Sequence, residues 1–482
     1  MHNEVFERAR LARDARFDGH FFVGVRTTGI YCRPVCPAVA PRRENVEFFP
    51  SAAAAGEAGF RPCLRCRPEC APGTPAWAGT STTVRRGLRL IDGGALDNDN
   101  VETLAGRLGV TSRHLRRLFT AHVGASPLAV AHTRRLHFAK RLIDDTALPM
   151  QHIATAAGYG SVRRFNDAFR KTYGRAPRDL RRLHGGNGRA PDDAALRLRL
   201  PYRAPFRFAD LLAFHAARAT PGVEAVSGDS YRRVLAVNGA ECRLTVRAAD
   251  DGFVSLTLHG VPAEHLFDVV QRTRDVFDLD APTDDIRKTL SADPRLKRLL
   301  RRQPGVRVPG AWDGFELAVR AILGQQVSVR AATTLAGRLV ACYGTPLAAP
   351  ADGLTHRFPR PERLLRARFN NIGLVRARAD TLRRLAAAVV TGDVHFDPLQ
   401  DLDDFRRALT AIRGIGAWTA EYVMMRALKH PDALPAADLG LLKALDPDER
   451  VTPAALAACA EAWRPWRAYA AVLLWGDTGA GG

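Results

Sequence analysis

Five of the eight cysteines fall between residues 32 and 70. Four of them form two close pairs, Cys32 with Cys36 (C-x3-C) and Cys63 with Cys66 (C-x2-C), separated by 26 residues. Two close pairs joined by a folded insert can present four thiolates tetrahedrally to one Zn2+. Cys70 is left over as a spare. Far downstream, Gly414-Ile415-Gly416 leads into Ala417-Trp418-Thr419-Ala420-Glu421-Tyr422, and Asp438 follows 22 residues after Gly416. A G-x-G turn entering a helix exposes backbone N–H groups where an anion can sit. A carboxylate beyond it can stabilise positive charge that develops during a reaction, or it can cap the helix beginning at Leu439.

The formal net charge of +21 predicts a polyanionic partner. Its distribution sharpens the prediction. Residues 101–183 carry 16 basic and 5 acidic side chains, against 14 and 11 in residues 1–100 and 41 and 34 in residues 184–482. A surplus concentrated in so short a segment is the footprint of a phosphate-binding face. An apolar content of 46% excludes wholesale disorder. No run of about 18 apolar residues predicts a membrane span, and Met1-His2-Asn3-Glu4 opens no secretory signal. The expected compartment is the cytoplasm, at the nucleoid, where cysteines serve metals or reactivity rather than disulfides. A monomer without membrane contact is expected.

The surroundings of the cysteines carry more than a metal site. Arg26-Thr27-Thr28-Gly29-Ile30-Tyr31-Cys32-Arg33-Pro34, Asn45-Val46-Glu47-Phe48-Phe49 and Gly59-Phe60-Arg61-Pro62-Cys63-Leu64-Arg65-Cys66 resemble the N-terminal domain of the Ada alkylation-response proteins. The resemblance covers nearly all of residues 1–70 with every ligand spacing kept. It implies one Zn2+ per chain on Cys32, Cys36, Cys63 and Cys66. It also implies that Cys32 accepts a methyl group from a phosphotriester of the DNA backbone. Zinc would keep the thiol deprotonated, and the thiolate is the nucleophile. Methylating one of four thiolates would change the site's formal charge from −2 to −1 and lower its repulsion of phosphate. Arg33, Arg61, Arg65 and Arg67 are the nearby cations that could hold phosphates.

The basic middle segment contains a near-repeat. Leu104-Ala105-Gly106-Arg107-Leu108-Gly109-Val110 is followed by Arg113, Leu115 and Phe119; Ile153-Ala154-Thr155-Ala156-Ala157-Gly158-Tyr159 is followed by Arg163, Phe165 and Phe169. In each copy a small residue permits close helix approach and a glycine makes the turn before a basic amphipathic helix. The readers would begin near Ser112 and Ser161, with Arg113, His114, Arg116, Arg163, Arg164 and Asn166 as candidate DNA contacts. Two such motifs, with Tyr173-Gly174-Arg175-Ala176-Pro177 after them, resemble the AraC-type DNA-binding domain. RNA polymerase is the further partner such a regulator would engage.

In the C-terminal half, the Gly414/Gly416 hairpin with its downstream Asp438 resembles the helix-hairpin-helix DNA glycosylases. Ile322-Leu323-Gly324-Gln325-Gln326-Val327-Ser328 and Trp463-Arg464-Pro465-Trp466-Arg467-Ala468-Tyr469 bring it close to AlkA-type 3-methyladenine glycosylases. That resemblance spans about residues 195–478. It implies hydrolysis of the N-glycosidic bond of an alkylated base flipped out of double-stranded DNA, as in a DNA-3-methyladenine glycosylase II. Asp438 would be catalytic. Trp418, Tyr422, Trp475 and Gln325 would line the base site, because aromatic faces attract a cationic base. Gly414 and Gly416 would hold a DNA phosphate, and Gln326 would face the duplex where many relatives have an apolar wedge. Lyase-type relatives carry Lys where Trp418 stands, so no strand cleavage is expected. Only Cys342 and Cys459 follow residue 300, so no iron–sulfur cluster is expected. A methylation-sensing regulator whose glycosylase-like part merely binds DNA is the alternative.

These residues need elements to hold them. Ala71-Pro72-Gly73-Thr74-Pro75 and His184-Gly185-Gly186-Asn187-Gly188-Arg189-Ala190-Pro191 read as linkers. They divide the chain into a zinc domain (1–75), a helix-turn-helix domain (80–183), a sheet subdomain (192–285) and a helix-hairpin-helix core (286–478). Strands are expected over 233–237, 242–246 and 253–258, and helices from about 285 onward. The expected fold class is multidomain and mainly α. It combines a small α+β zinc domain, an all-α double helix-turn-helix domain, and an α+β glycosylase with an antiparallel sheet and a helical core.

Overall fold

A computed structural model describes residues 2–14, 17–71, 82–97, 99–183, 195–249, 252–397, 400–445 and 451–477. Residues 72–75 of the first expected linker and all of the second lie outside this set, as does the side chain of Cys70. The chain forms two compact units. The first contains residues 1–204, 249–271 and 280–282; the second contains 205–248, 272–279 and 283–482.

The first unit opens with a four-stranded sheet ordered β3-β1-β2-β4, where β1 is Phe22–Val25, β2 Ile30–Cys32, β3 Val46–Phe49 and β4 Arg61–Pro62. Strand β2 pairs antiparallel with β1 and parallel with β4, with Tyr31 opposite Pro62. This register brings the chain just before Cys63 alongside Cys32. Side chains alternate across a strand, so Tyr31 and Cys32 face opposite sides. Tyr31 enters a core of Phe22, Phe49 and Ala53 to Ala55 that also buries Ala125 of the helix-turn-helix region. The metal domain and the DNA-reading region therefore share one apolar core.

The near-repeat folds as two helix-turn-helix motifs. The first pairs Val101–Arg107 with the reader Ser112–Val123, and the second pairs Met150–Ala156 with the reader Val162–Tyr173. Gly109 and Gly158 take φ of +69° and +77° at the turns, a region that favours glycine. Thr111 and Ser161 cap the readers by accepting from the backbone N–H groups of His114 and Arg164. A 19-residue bridging helix, Pro127–Asp145, joins the motifs. Further along, Ala195–Pro201 pairs antiparallel with Phe253–His259.

The second unit opens with the helix Phe208–Arg218, followed by an antiparallel meander of Glu224–Ser227, Ser230–Val237 and Ala240–Ala248. Arg233, 4% exposed, pairs with Glu224 and Glu316 and so ties the meander to the buried helix Gly314–Leu323. The rest is helical apart from one hairpin, Thr345–Ala351 with Leu354–Arg357, which corrects the expectation of helices throughout. Pro346, Pro350 and three alanines hide the first strand from propensity arguments. The signal was Asp352-Gly353, where φ of +55° and +80° makes the mirror-image turn that hairpins favour.

Candidate functional site

Among the described residues all seven cysteines are free thiols. The Sγ atoms of Cys32, Cys36, Cys63 and Cys66 lie within 4.8 Å of one another. Four thiolates at about 2.3 Å from one Zn2+ would sit about 3.8 Å apart, so the donor set fits zinc in number, chemistry and spacing. Cys63 and Cys66 are buried, whereas Cys32 and Cys36 are half-buried. Mutual hydrogen bonds among the sulfurs draw Cys36 down to about 7 and hold Cys32 and Cys66 above the usual thiol range. Cys66 also accepts a hydrogen bond from the Arg33 backbone N–H at 3.3 Å.

The nearby arginines divide by role. Arg33 turns inward: its guanidinium bonds both carboxylate oxygens of Asp18 and the Cys66 carbonyl. These bonds tie the cysteine loop to Asp18. Arg67 likewise faces Glu69, Asp144 and Asp145. Arg61 and Arg65 are exposed.

Each segment that supplies a metal ligand also touches the helix-turn-helix region. Tyr31, beside Cys32, bonds His137 of the bridging helix at 2.9 Å through its hydroxyl. Glu69, three residues past Cys66 and buried, meets the buried Lys140 ammonium at 3.4 Å. Arg61, two residues before Cys63, lies against Gly174 at the end of the second reader. Sequence reasoning missed this clamp, because nothing in the local pattern around His137, Lys140 or Glu69 says which distant segment they meet.

On the reader helices, Leu115, Phe119 and Val123, and Phe165, Phe169 and Tyr173, form the buried stripes. Arg113, Arg116, Arg163 and Arg164 are exposed, and His114 and Asn166 are half-buried. Arg116 reaches Glu102 at 3.1 Å across the exposed surface.

In the second unit the glycine hairpin connects helices Leu402–Thr410 and Ala417–Arg426. Gly414 has φ of +101°, and a Cβ there would fall 2.1 Å from Thr381 Oγ1, so only glycine fits. Gly416 caps the second helix with no side chain, which leaves the first-turn N–H groups available to an anion. Gln325 donates through Nε2 to the Gly414 carbonyl at 3.0 Å and to Thr419 Oγ1 at 3.2 Å. Arg378 donates to the Gln325 carbonyl at 2.6 Å. These bonds hold the neighbouring Gln326 exposed with φ of +56°, a conformation uncommon for a side chain of that size. Gln325, expected at the base, is here a brace for this loop.

Asp438 lies where both indoles converge. Trp418 Nε1 donates to Oδ2 at 2.8 Å, and Trp475 Nε1 donates to Oδ1 at 2.9 Å. The Leu441 backbone N–H also donates to Oδ1, at 3.1 Å. The capping role and an oriented carboxylate thus coexist. Trp418 stacks on Tyr422 with centroids 5.3 Å apart and planes 11° from parallel, and Tyr422 meets Trp475 edge-on at 6.3 Å. The Trp418–Tyr422 stack leaves no gap for a third ring between them, so a base would meet the outer surface of this aromatic group. Burial pushes the Tyr422 phenol up, but the charges of Arg426, Arg218 and Arg320 and the Arg426 hydrogen bond outweigh it and hold the phenol below its usual range.

A four-thiolate metal domain clamped to paired helix-turn-helix readers, with a helix-hairpin-helix core backed by an oriented carboxylate, defines a multidomain DNA-acting protein. Family models agree segment by segment: metal binding domain of Ada (6–69), helix-turn-helix domain (104–183), AlkA N-terminal domain (197–313) and HhH-GPD superfamily base excision DNA repair protein (319–467). The chain is 43% identical over 484 aligned positions to "Probable bifunctional transcriptional activator/DNA repair enzyme AlkA" of Mycobacterium tuberculosis, covering 98% of this chain and 97% of the relative. It is 34% identical to DNA-3-methyladenine glycosylase 2 of Escherichia coli, covering 57% of this chain and 95% of that one. A 3-methyladenine DNA-glycosylase from Archaeoglobus fulgidus shares the fold, with a TM-score of 0.52 at 20% identity over 58% of this chain and 98% of its own. The chain belongs to the AlkA family of bifunctional transcriptional activator/DNA repair enzymes. Among the described residues no helix is long and apolar enough to cross a membrane.

Proposed function

We propose that the second unit is a monofunctional glycosylase of the 3-methyladenine type II class, with Asp438 as its catalytic carboxylate. The observation that carries this reading is the pair of indole N–H donors, from Trp418 and Trp475, that fix both oxygens of Asp438. Alkylation at a ring nitrogen makes the base cationic and already a good leaving group. What the protein must add is an anion for the positive charge left on the sugar as the C–N bond breaks. Asp438 supplies it from a fixed position, and water completes the hydrolysis. Trp418, Tyr422 and Trp475 attract the cationic base through their electron-rich faces. Gly414 and Gly416 present backbone N–H groups to a phosphate, and Gln326 at its exposed turn faces the vacated stack.

In the same proposal Cys32 is a stoichiometric methyl acceptor. Bound zinc supplies the charge that keeps the four sulfurs deprotonated. Cys32 Sγ attacks the methyl carbon of a backbone phosphotriester, the C–O bond breaks, and the phosphate leaves as a diester anion. The half-buried state of Cys32, beside a buried Cys63 and Cys66, supports its access to DNA. The exposed arginines of the readers, with Arg61 and Arg65, then hold promoter DNA, where the chain acts as a monomer engaging RNA polymerase.

The test is release of free bases from alkylated duplex DNA by the zinc-loaded full chain. Asp438→Asn keeps a capping oxygen but removes the charge, and release should fall by at least about 100-fold. Undiminished release would remove Asp438 from the chemistry, and no release by the folded wild type would make this half a binding module. Retained methyl uptake by Cys32→Ser would reassign the acceptor.

A further inference from the structure

We propose that Arg426 is a positioning residue for base excision, acting through the Tyr422 hydroxyl to hold the aromatic wall of the base site. This rests on the base site proposed above. Arg426 ends the helix that begins at the glycine hairpin, and it is 4% exposed. Its Nε donates to the Pro309 carbonyl at 2.8 Å and its Nη2 to the Gly310 carbonyl at 3.2 Å. Nη1 donates to the Tyr422 hydroxyl at 2.6 Å. Its own carbonyl accepts from Ala311 N–H at 3.1 Å.

Two of these bonds anchor the guanidinium to a segment that contributes nothing to the aromatic group. The third reaches one turn back along the same helix to a ring that touches both tryptophans. A planar fork fixed at two corners gives the third a defined direction. A phenyl ring without that bond keeps its packing but gains freedom about its own torsions. Tyr422 is the middle of a chain: Arg426 holds its hydroxyl, its face lies on Trp418, its edge meets Trp475, and both indoles donate to Asp438. Loosening Tyr422 therefore loosens the groups that aim the carboxylate. A misplacement of about 1 Å near a reacting centre costs on the order of 100-fold in rate. A role confined to folding would instead stop at the two carbonyl bonds and would not pass through the phenol.

The experiment is a double-mutant cycle in the zinc-loaded full chain, on duplex DNA carrying one methylated purine. Single-turnover base release, duplex affinity and thermal midpoint are measured for wild type, Tyr422→Phe, Arg426→Met, the double variant and Arg426→Lys. Tyr422→Phe should slow release about 10-fold with duplex affinity within about twofold, and Arg426→Met should slow it at least as much. The double variant should be slower than Arg426→Met by clearly less than the effect of Tyr422→Phe alone, because the two share one path and only the Arg218 bond to the phenol remains outside it. Arg426→Lys, which can keep one bond to the hydroxyl, should recover part of the rate. Fully additive effects, or an Arg426→Met protein that melts lower yet releases base at the wild-type rate, would overturn the proposal. Tyr422→Ala separates the two readings. If it leaves release intact, the base site is wrong; if it abolishes release while the cycle is additive, only the role of Arg426 fails.

Discussion

Acidification should weaken the joint between the metal domain and the DNA-reading region, and His137 should carry that effect. Its ring is half-buried on the bridging helix and shares a hydrogen bond with the Tyr31 hydroxyl at 2.9 Å. Burial, with the nearby Arg141 and Lys140 charges, holds its pKa down at about 4, against the opposing pull of Glu69. The folded state therefore resists a proton that the unfolded chain accepts near pH 6.5. For a group depressed on folding, stability is complete above the unfolded pKa and is lost as pH falls toward the folded one. The window runs from about pH 6.5 to 4, and the loss between pH 7 and pH 5 is about 2 kcal/mol. The assay is urea unfolding of the zinc-loaded chain at both pH values, wild type beside His137→Gln, which keeps an acceptor for Tyr31 but cannot titrate. Zinc ligands compete with protons in both proteins, so their contribution cancels in the comparison. The wild type should lose about 2 kcal/mol more than His137→Gln. Equal losses would refute the argument and leave the acid response to the thiolates.

Three further outcomes follow from geometry already described. Lys140→Met leaves the buried carboxylates of Glu69 and Asp144 with Arg67 as their remaining cation, and should destabilise the first unit by less than the about 3–5 kcal/mol of a wholly uncompensated buried charge. Adding Glu69→Gln should return part of that in the same denaturation assay. Gly414→Ala should abolish base release from alkylated duplex by the full chain, because its φ of +101° and the 2.1 Å approach to Thr381 both exclude a side chain. Gly416→Ala, with nothing within 4 Å of the added carbon, should keep releasing base. Gln325→Ala should leave the thermal midpoint within a few degrees but slow base release on the order of 10-fold, since it frees the loop that presents Gln326.

What the sequence revealed and what it concealed divide along contact range. The thiolate set was legible because four ligands of one metal must be few, identical in chemistry and closely paired. The readers were legible because an internal repeat compares the chain with itself: glycine, capping hydroxyl and aromatic stripe recur at matching offsets, and the structure puts both glycines at positive φ. The hairpin and Asp438 were legible because a left-handed glycine and a helix cap are local demands. The roles of charged side chains were not. Arg33 and Arg61 look alike in sequence, each one or two positions from a ligand. One turns in to Asp18, which precedes β1, and the other stays exposed beside Gly174, partners that the local sequence does not name. Arg426 reads as a basic residue ending a helix, which normally needs no explanation beyond the dipole. Its meaning comes from residues 309–311, which reach it only through the fold. Lys140 is concealed for the same reason. A lysine in a helix of this length is expected on the wet face, and its burial is tolerable because Asp144, one turn on, and Glu69, arriving from the metal domain, both take its ammonium. The signal that would have found Arg426 and Lys140 is the same: a charged residue whose helical position falls on the apolar stripe must have a partner elsewhere in the chain.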